Sequence, residues 1–115
     1  MKEKVFINAR IIDPSQNIDE VGSVIVDVNG KIKSIGKNTK KTDASSSAEV
    51  FDLKKNILIP GVVDMKAFVG EPGYEYKENF RTLSQAALAG GVTSIVTMPN
   101  TKPIIDNVSM VDFII

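Results

Sequence analysis

Two stretches of this 115-residue sequence place polar side chains directly after apolar, β-branched runs. Asp64 and Lys66 stand at the end of the run 57–63, and Asn100 follows the run 93–98. A carboxylate, an ammonium and an amide can each bind a substrate or orient one. Parallel strands bring such residues together where strands end and loops begin, which is where barrels of parallel strands carry out their chemistry. The sequence therefore predicts a candidate site at these two strand ends.

Ordinary zinc chemistry is not predicted for these residues. The chain contains no His and no Cys, so it lacks the nitrogen and sulfur ligands that zinc usually takes. Within the candidate site, Lys66 has no usable lone pair while it is protonated, and Phe68 has no donor atom. We therefore predict no metal ligand and no catalytic residue in this chain.

The elements that must position these residues follow a strand–helix–strand order. Apolar residues recur every three or four positions between Lys77 and Ala89, which predicts a helix with one apolar face, and Gly90-Gly91 ends it. Such βα units build parallel sheets or barrels. A complete (β/α)8 barrel needs about 250 residues, so we expect a truncated chain that holds only the opening units. A self-contained α+β domain is the alternative.

The first half of the chain is predicted to be rich in strands. Asn29-Gly30 indicates a hairpin because both residues tolerate a positive φ. The predicted strands cover residues 5–12, 24–28, 31–35 and 51–53, and the predicted domains are 1–56, β-rich, and 57–115, the start of the barrel. A further helix is predicted at the end of the chain, with Asp106-Asn107 as its N-cap pair.

Composition limits the possible partners. Lys plus Arg and Asp plus Glu number 14 each, so the net charge is zero. Nucleic acid and anionic membranes both attract a basic excess, and neither is predicted as a partner. No apolar run approaches the roughly 18 residues that span a bilayer, and the first residues are not predicted to be a secretory signal. The absence of Cys favours a reducing compartment, and we predict a cytoplasmic protein.

Several short motifs, in order along the chain, resemble one family. They are Pro60-Gly61 before an acidic strand end, Glu71-Pro72-Gly73, Gly90-Gly91-Val92-Thr93, Met98-Pro99-Asn100-Thr101 and Ile105-Asp106-Asn107. Together they resemble the N-terminal part of the dihydroorotase branch of the cyclic amidohydrolases, over essentially the whole chain. The resemblance implies an α/β fold: a small β-sandwich-like segment followed by the first βα units of an incomplete TIM-type barrel.

This chain also departs from the family pattern at its first barrel strand. The family pattern at the first barrel strand is Asp-x-His-x-His-x-Arg, in which the two His bind catalytic zinc and the Arg holds the substrate carboxylate. Here Lys66, Phe68 and Gly70 stand at those three positions. The chain is therefore most similar to the non-catalytic dihydroorotase-like members. Asn100 matches the family's substrate-contacting Asn, and it is our candidate for substrate binding.

Each of these residues also has a structural interpretation. Asp64 is predicted to cap backbone N–H groups of the adjacent loop, and Glu71 to shape its loop with Pro72 and Gly73. By strand alternation, Lys66 is expected to share a face with Asp64 and Phe68. Its charge either replaces the missing metal by pairing with acidic residues, or extends to solvent. Asn100 is otherwise a turn residue.

Two functions from different classes follow from the resemblance. The first is a catalytically inactive dihydroorotase-like protein of pyrimidine biosynthesis that acts as a structural partner of aspartate carbamoyltransferase, with self-association as a further possibility. The second is an active cyclic amidohydrolase with an altered metal site, seen here as its N-terminal part. The replacement of residues at 66, 68 and 70 favours the first.

Overall fold

The computed structural model describes residues 1–114 of the chain. These residues form two compact units, the first being Met1–Pro60 and the second beginning at Gly61. The first unit consists of strands and short turns, and the second contains strands and helices. The chain is thus a mixed α/β protein, with a β-rich segment before the βα units, as predicted.

The division between the two units lies later than the predicted boundary after Asn56. A single strand was expected over 57–63, and this expectation is wrong. The strand β5 (Ile57–Leu58) pairs with β1 (Lys4–Asp13) of the first unit, whereas β6 (Val62–Ala67) belongs to the second. The two strands are separated at Pro60, which has no N–H to donate to a ladder.

The first unit is built around one long strand. β1 pairs with β2 (Ile18–Val26) in antiparallel orientation and with β4 (Glu49–Asp52) and β5 in parallel orientation. β3 (Ile32–Gly36) continues the sheet beyond β2, which gives the order β3-β2-β1-β4. The core of this unit lies on β1 and β2, where Ala9, Ile11 and Val24 are buried. The two central strands of the sheet, β1 and β2, are therefore also neighbours in sequence.

The predicted hairpin at Asn29-Gly30 is confirmed, but its turn extends over residues 27–31. Gly30 has a φ of 80° and donates its N–H to the Asp27 carbonyl oxygen at 3.1 Å. The Asp27 carboxylate accepts from the N–H groups of Asn29 and Lys31 at 2.8 and 2.9 Å. Asp27, which the sequence analysis did not single out, therefore organises the turn that joins β2 to β3.

The second unit contains the predicted strand–helix–strand arrangement. β6 pairs in parallel with β7 (Val92–Thr97), and α1 (Phe80–Ala89) connects them. A second helix, α2 (Val108–Ile114), follows β7, and Asn107 caps it by accepting from the Met110 N–H at 3.0 Å. Neither helix in the described part of the chain has the length and apolar character needed to cross a membrane.

The helix α1 begins later than predicted because Asn79 is its N-cap. The Asn79 side chain accepts from the Thr82 N–H at 3.0 Å, which places the first helical residue at Phe80. The helix ends at Gly90, and Gly91 adopts a φ of 78°, the left-handed conformation typical of a residue just past a helix. α1 thus connects the end of β6 to the start of β7.

Candidate functional site

The carboxyl ends of β6 and β7 lie side by side, as the parallel pairing requires. Ala67 is paired with Thr97, and the Met98 N–H donates to the Ala67 carbonyl oxygen at 2.8 Å. The residues that follow each strand therefore leave the sheet at the same edge. The second unit therefore brings the loop after Ala67 and the loop containing Asn100 to one end of the sheet.

An irregularity in β6 changes which residues share a face. The ladder pairs Asp64 with Ile95 and Ala67 with Thr97, so two residues of β6 lie opposite one residue of β7. This is the pattern of a β-bulge. Since paired residues of parallel strands point to the same side, Asp64 lies on the face of Ala67. The alternation that placed Asp64 and Lys66 on one face does not hold.

The carboxylate of Asp64 holds this bulge. Its Oδ1 accepts from the Lys66 N–H at 2.9 Å, so it makes the kind of backbone contact expected of a structural residue. This hydrogen bond lies within the irregular part of the ladder, between Asp64 and Ala67. Asp64 thus shapes the strand end that carries Lys66.

The Lys66 side chain is exposed in this chain. Within residues 1–114 it takes part in no ion pair. Extension into solvent is the arrangement seen here, and pairing with acidic residues in place of a metal remains a prediction. An exposed ammonium remains hydrated, so the position of Lys66 in the second unit has no desolvation cost.

Phe68 begins a chain of aromatic contacts. Its ring centroid lies 6.4 Å from that of Tyr74, and Tyr74 lies 6.4 Å from Tyr76 in an edge arrangement. The Lys77 Nζ lies 5.3 Å from the Tyr74 ring centroid and 5.6 Å from that of Tyr76. Such distances allow cation–π attraction. Phe68 thus makes an apolar contact where the family pattern has a ligand, and Lys77 is a contributor that the sequence analysis assigned no role.

Glu71 connects the loop after β6 to the start of α1. Its Oε2 accepts from the Phe80 N–H at 2.9 Å, which satisfies a donor that the helix cannot pair internally. Nearby, the Gly73 N–H donates to Glu75 Oε1 at 2.8 Å, and this hydrogen bond lowers the pKa of the Glu75 carboxyl. The position of Glu71 is that of a loop-shaping residue.

The loops after β6 and β7 are in direct backbone contact. The Lys102 N–H donates to the Pro72 carbonyl oxygen at 3.0 Å. Thr101 is buried, and its hydroxyl donates to the Pro103 carbonyl oxygen at 2.8 Å. Thr101 was not among the predicted site residues, because a hydroxyl in a loop sequence does not indicate burial. Asn100, the candidate substrate-binding residue, is exposed beside this contact.

The residues present do not fit a zinc ion. Among residues 1–114, no three His, Cys, Asp or Glu side chains lie close enough to hold a metal. Lys66 and Phe68 supply no ligand atom, and the Asp64 carboxylate already accepts from the backbone. The geometry described here therefore provides polar groups at the edge of a sheet without a metal-binding set.

Comparison with known proteins identifies relatives of the whole chain. The dihydroorotase of Geobacter metallireducens is 46% identical over 106 residues, which are 92% of this chain and 24% of that protein. The dihydroorotase of Aquifex aeolicus is 42% identical over 115 residues, 100% of this chain and 26% of that protein. This chain thus corresponds to only a minor part of the length of these relatives. No protein-family model matches it.

A solved structure agrees with these relatives. The L-hydantoinase (dihydropyrimidinase) from Arthrobacter aurescens superposes with a TM-score of 0.75 at 25% sequence identity. The match covers 90% of this chain and 22% of that one. The fold of the chain therefore matches the N-terminal part of such an enzyme, a β-sandwich portion followed by the start of a TIM barrel.

Proposed function

Because this chain belongs to the dihydroorotase branch of the cyclic amidohydrolases, as a counterpart of its N-terminal part, we propose that it comes from a dihydroorotase-like protein without hydrolytic activity. The proposed role is structural: association with aspartate carbamoyltransferase in pyrimidine biosynthesis, in the cytoplasm. Its own self-association is compatible with this role. The proposal concerns the complete protein, since the chain spans 24% to 26% of its relatives.

One observation carries the proposal. Lys66, Phe68 and Gly70 stand where the family pattern has two metal-binding His and a substrate-binding Arg. Metal-dependent hydrolysis needs a bound ion to activate water and polarise the substrate carbonyl, and these three residues supply neither a ligand nor a guanidinium. Replacement of all three functional residues together is expected in a protein that no longer carries out the hydrolysis.

The shape of the strand ends supports a structural role. The loops after β6 and β7 are joined by the hydrogen bond from the Lys102 N–H to the Pro72 carbonyl oxygen. Such joined loops offer a defined surface to a partner that recognises shape. The neutral net charge agrees with a protein partner rather than nucleic acid.

An active enzyme with an altered metal site is the second candidate. It is favoured by 46% identity to proteins named dihydroorotase and by the retained Glu71-Pro72-Gly73 and Asn100 motifs. In this case the metal ligands would come from residues outside this chain, and Asn100 would still contact the substrate.

The experiment that separates these candidates is an assay of the complete protein for dihydroorotate hydrolysis with zinc supplied. The dihydroorotase of Aquifex aeolicus serves as the positive control. We expect no hydrolysis by this protein above the background without enzyme. Turnover that disappears on adding a chelator would establish the second candidate instead.

The partner is tested separately by analytical ultracentrifugation of the complete protein with and without aspartate carbamoyltransferase from the same organism. We expect one faster-sedimenting complex containing both chains. Independent sedimentation of the two proteins at concentrations well above those in cells would refute the partnership.

A further inference from the structure

We infer that Gly70 has become an obligatory glycine, so that the backbone of this chain closes that position to any side chain. The inference rests on the proposed function in one respect only, the correspondence of Gly70 to the family's substrate-binding Arg. Its consequence is that the anchor for a substrate carboxylate cannot be regained by substituting that residue alone.

The first reason is conformational. Gly70 has a φ of 75°, in the left-handed region that residues with a Cβ rarely adopt. It is also buried. Any replacement must therefore keep a strained backbone or change the path of the loop that follows β6.

The second reason is steric. A Cβ built on Gly70 would lie 2.7 Å from the carbonyl oxygen of Glu78 and 3.0 Å from that of Tyr74. Both are backbone atoms, which cannot rotate away as the end of a side chain can. A side chain of any length begins with this Cβ, so an arginine meets the same obstacle as an alanine.

The Tyr74 carbonyl is held by the loop's own hydrogen bonds, and the Glu78 carbonyl lies next to the start of α1. The Tyr74 N–H donates to the Gly70 carbonyl oxygen at 2.6 Å, and the Tyr74 carbonyl oxygen accepts from the Lys77 N–H at 2.8 Å. Glu78 directly precedes Asn79, the N-cap of α1. Moving either carbonyl to admit a Cβ would break the loop's own hydrogen bonds or disturb the start of the helix.

The positions of the lost metal ligands differ in this respect. Lys66 and Phe68 are both exposed, so the backbone there tolerates other side chains. The change at Gly70 is therefore fixed in the backbone, while the changes at Lys66 and Phe68 are limited to side chains. Among the three positions, Gly70 is the one at which the present backbone conformation of the loop requires a glycine.

The test compares two glycines in the complete protein. Gly91 has a φ of 78°, but a Cβ there would meet nothing within 4 Å. Gly91→Ala therefore reports the cost of the left-handed conformation alone, and Gly70→Ala reports that cost plus the steric conflict. Thermal unfolding of Gly70→Ala, Gly70→Arg and Gly91→Ala is followed beside the parent protein.

We expect both Gly70 variants to unfold at clearly lower temperature than Gly91→Ala, or to fail to fold while Gly91→Ala folds. Equal midpoints for Gly70→Ala and Gly91→Ala would overturn the inference. So would a Gly70→Arg variant as stable as the parent. These outcomes do not depend on activity: hydrolysis of dihydroorotate by the parent would refute the proposed function and leave the comparison of glycines intact.

Discussion

Asn79 stabilises the start of α1 through its side chain. It accepts from the Thr82 N–H, one of the helix donors that have no partner within the helix. We predict that Asn79→Ala lowers the free energy of unfolding by about 1 kcal/mol. The matched control is Gln85→Ala on the exposed part of the same helix, which is expected to change stability by less than about 0.5 kcal/mol. Urea unfolding of both variants measures the difference, and equal stabilities would show that the cap contributes nothing.

Asp13 contributes a pH-dependent term to the stability of the first unit. Hydrogen bonds from the Ser15 hydroxyl at 2.6 Å and from the Gln16 amide at 2.7 Å lower the pKa of this buried carboxyl. Because the folded pKa lies below the unfolded value of about 3.9, its contribution is present above that value. It is lost as the pH falls through the folded pKa.

We therefore predict that Asp13→Asn is less stable than the parent at neutral pH, and that the difference shrinks in strong acid, where Asp13 itself is protonated. Urea unfolding of Asp13→Asn and of the parent, at neutral pH and in strong acid, measures this difference in stability. Glu49→Gln, which removes an exposed carboxylate on β4, is the control with little expected effect. A destabilisation of Asp13→Asn that does not depend on pH would contradict the assignment of the stabilisation to the charged form.

Among single residues, the N-cap at Asn107 was predicted correctly, because capping depends on the residue types next to the helix. The orientation of Asp64 could not be predicted, because it depends on a bulge that appears only when β6 pairs with β7. Alternation holds along a regular strand and fails where an extra residue is inserted.

The buried hydrophobic residues of the first unit lie on its central strands, β1 and β2. Ile25 on β2 is 0% exposed, whereas Ile32 on the neighbouring β3 is 63% exposed. We predict that Ile25→Ala lowers the free energy of unfolding by about 2–5 kcal/mol through lost burial and the cavity left behind. Ile32→Ala removes the same atoms from an exposed position and should cost far less. Similar losses for the two variants would contradict the assignment of the core to β1 and β2.

Helices and strands marked by local sequence patterns were predicted correctly, whereas pairing between strands far apart in the sequence was not. The helix α1, its glycine end and the strand β7 were predicted because their periodicity and turn residues are local in sequence. The assignment of Ile57–Leu58 to the first sheet was missed because it depends on pairing with β1, far away in sequence. An apolar run contains no information on which sheet it joins.

The second unit exposes apolar residues on its strand β6. Val63 is 53% exposed and Met65 70% exposed on β6, and β7 is its only strand partner among the described residues. Exposed apolar strands promote association. We predict that the 115-residue chain expressed alone self-associates and binds a hydrophobic dye, as measured by light scattering and fluorescence. A monomeric, dye-negative chain that unfolds cooperatively would contradict this prediction.

We propose that Lys66 and Phe68 leave the complete protein without the metal on which hydrolysis in this family depends. The most direct measurement is the zinc content of the complete protein after dialysis against zinc-containing buffer and then against metal-free buffer. We predict far less than one zinc ion per chain. Retention of one or more zinc ions per chain would refute the proposed loss of the metal site.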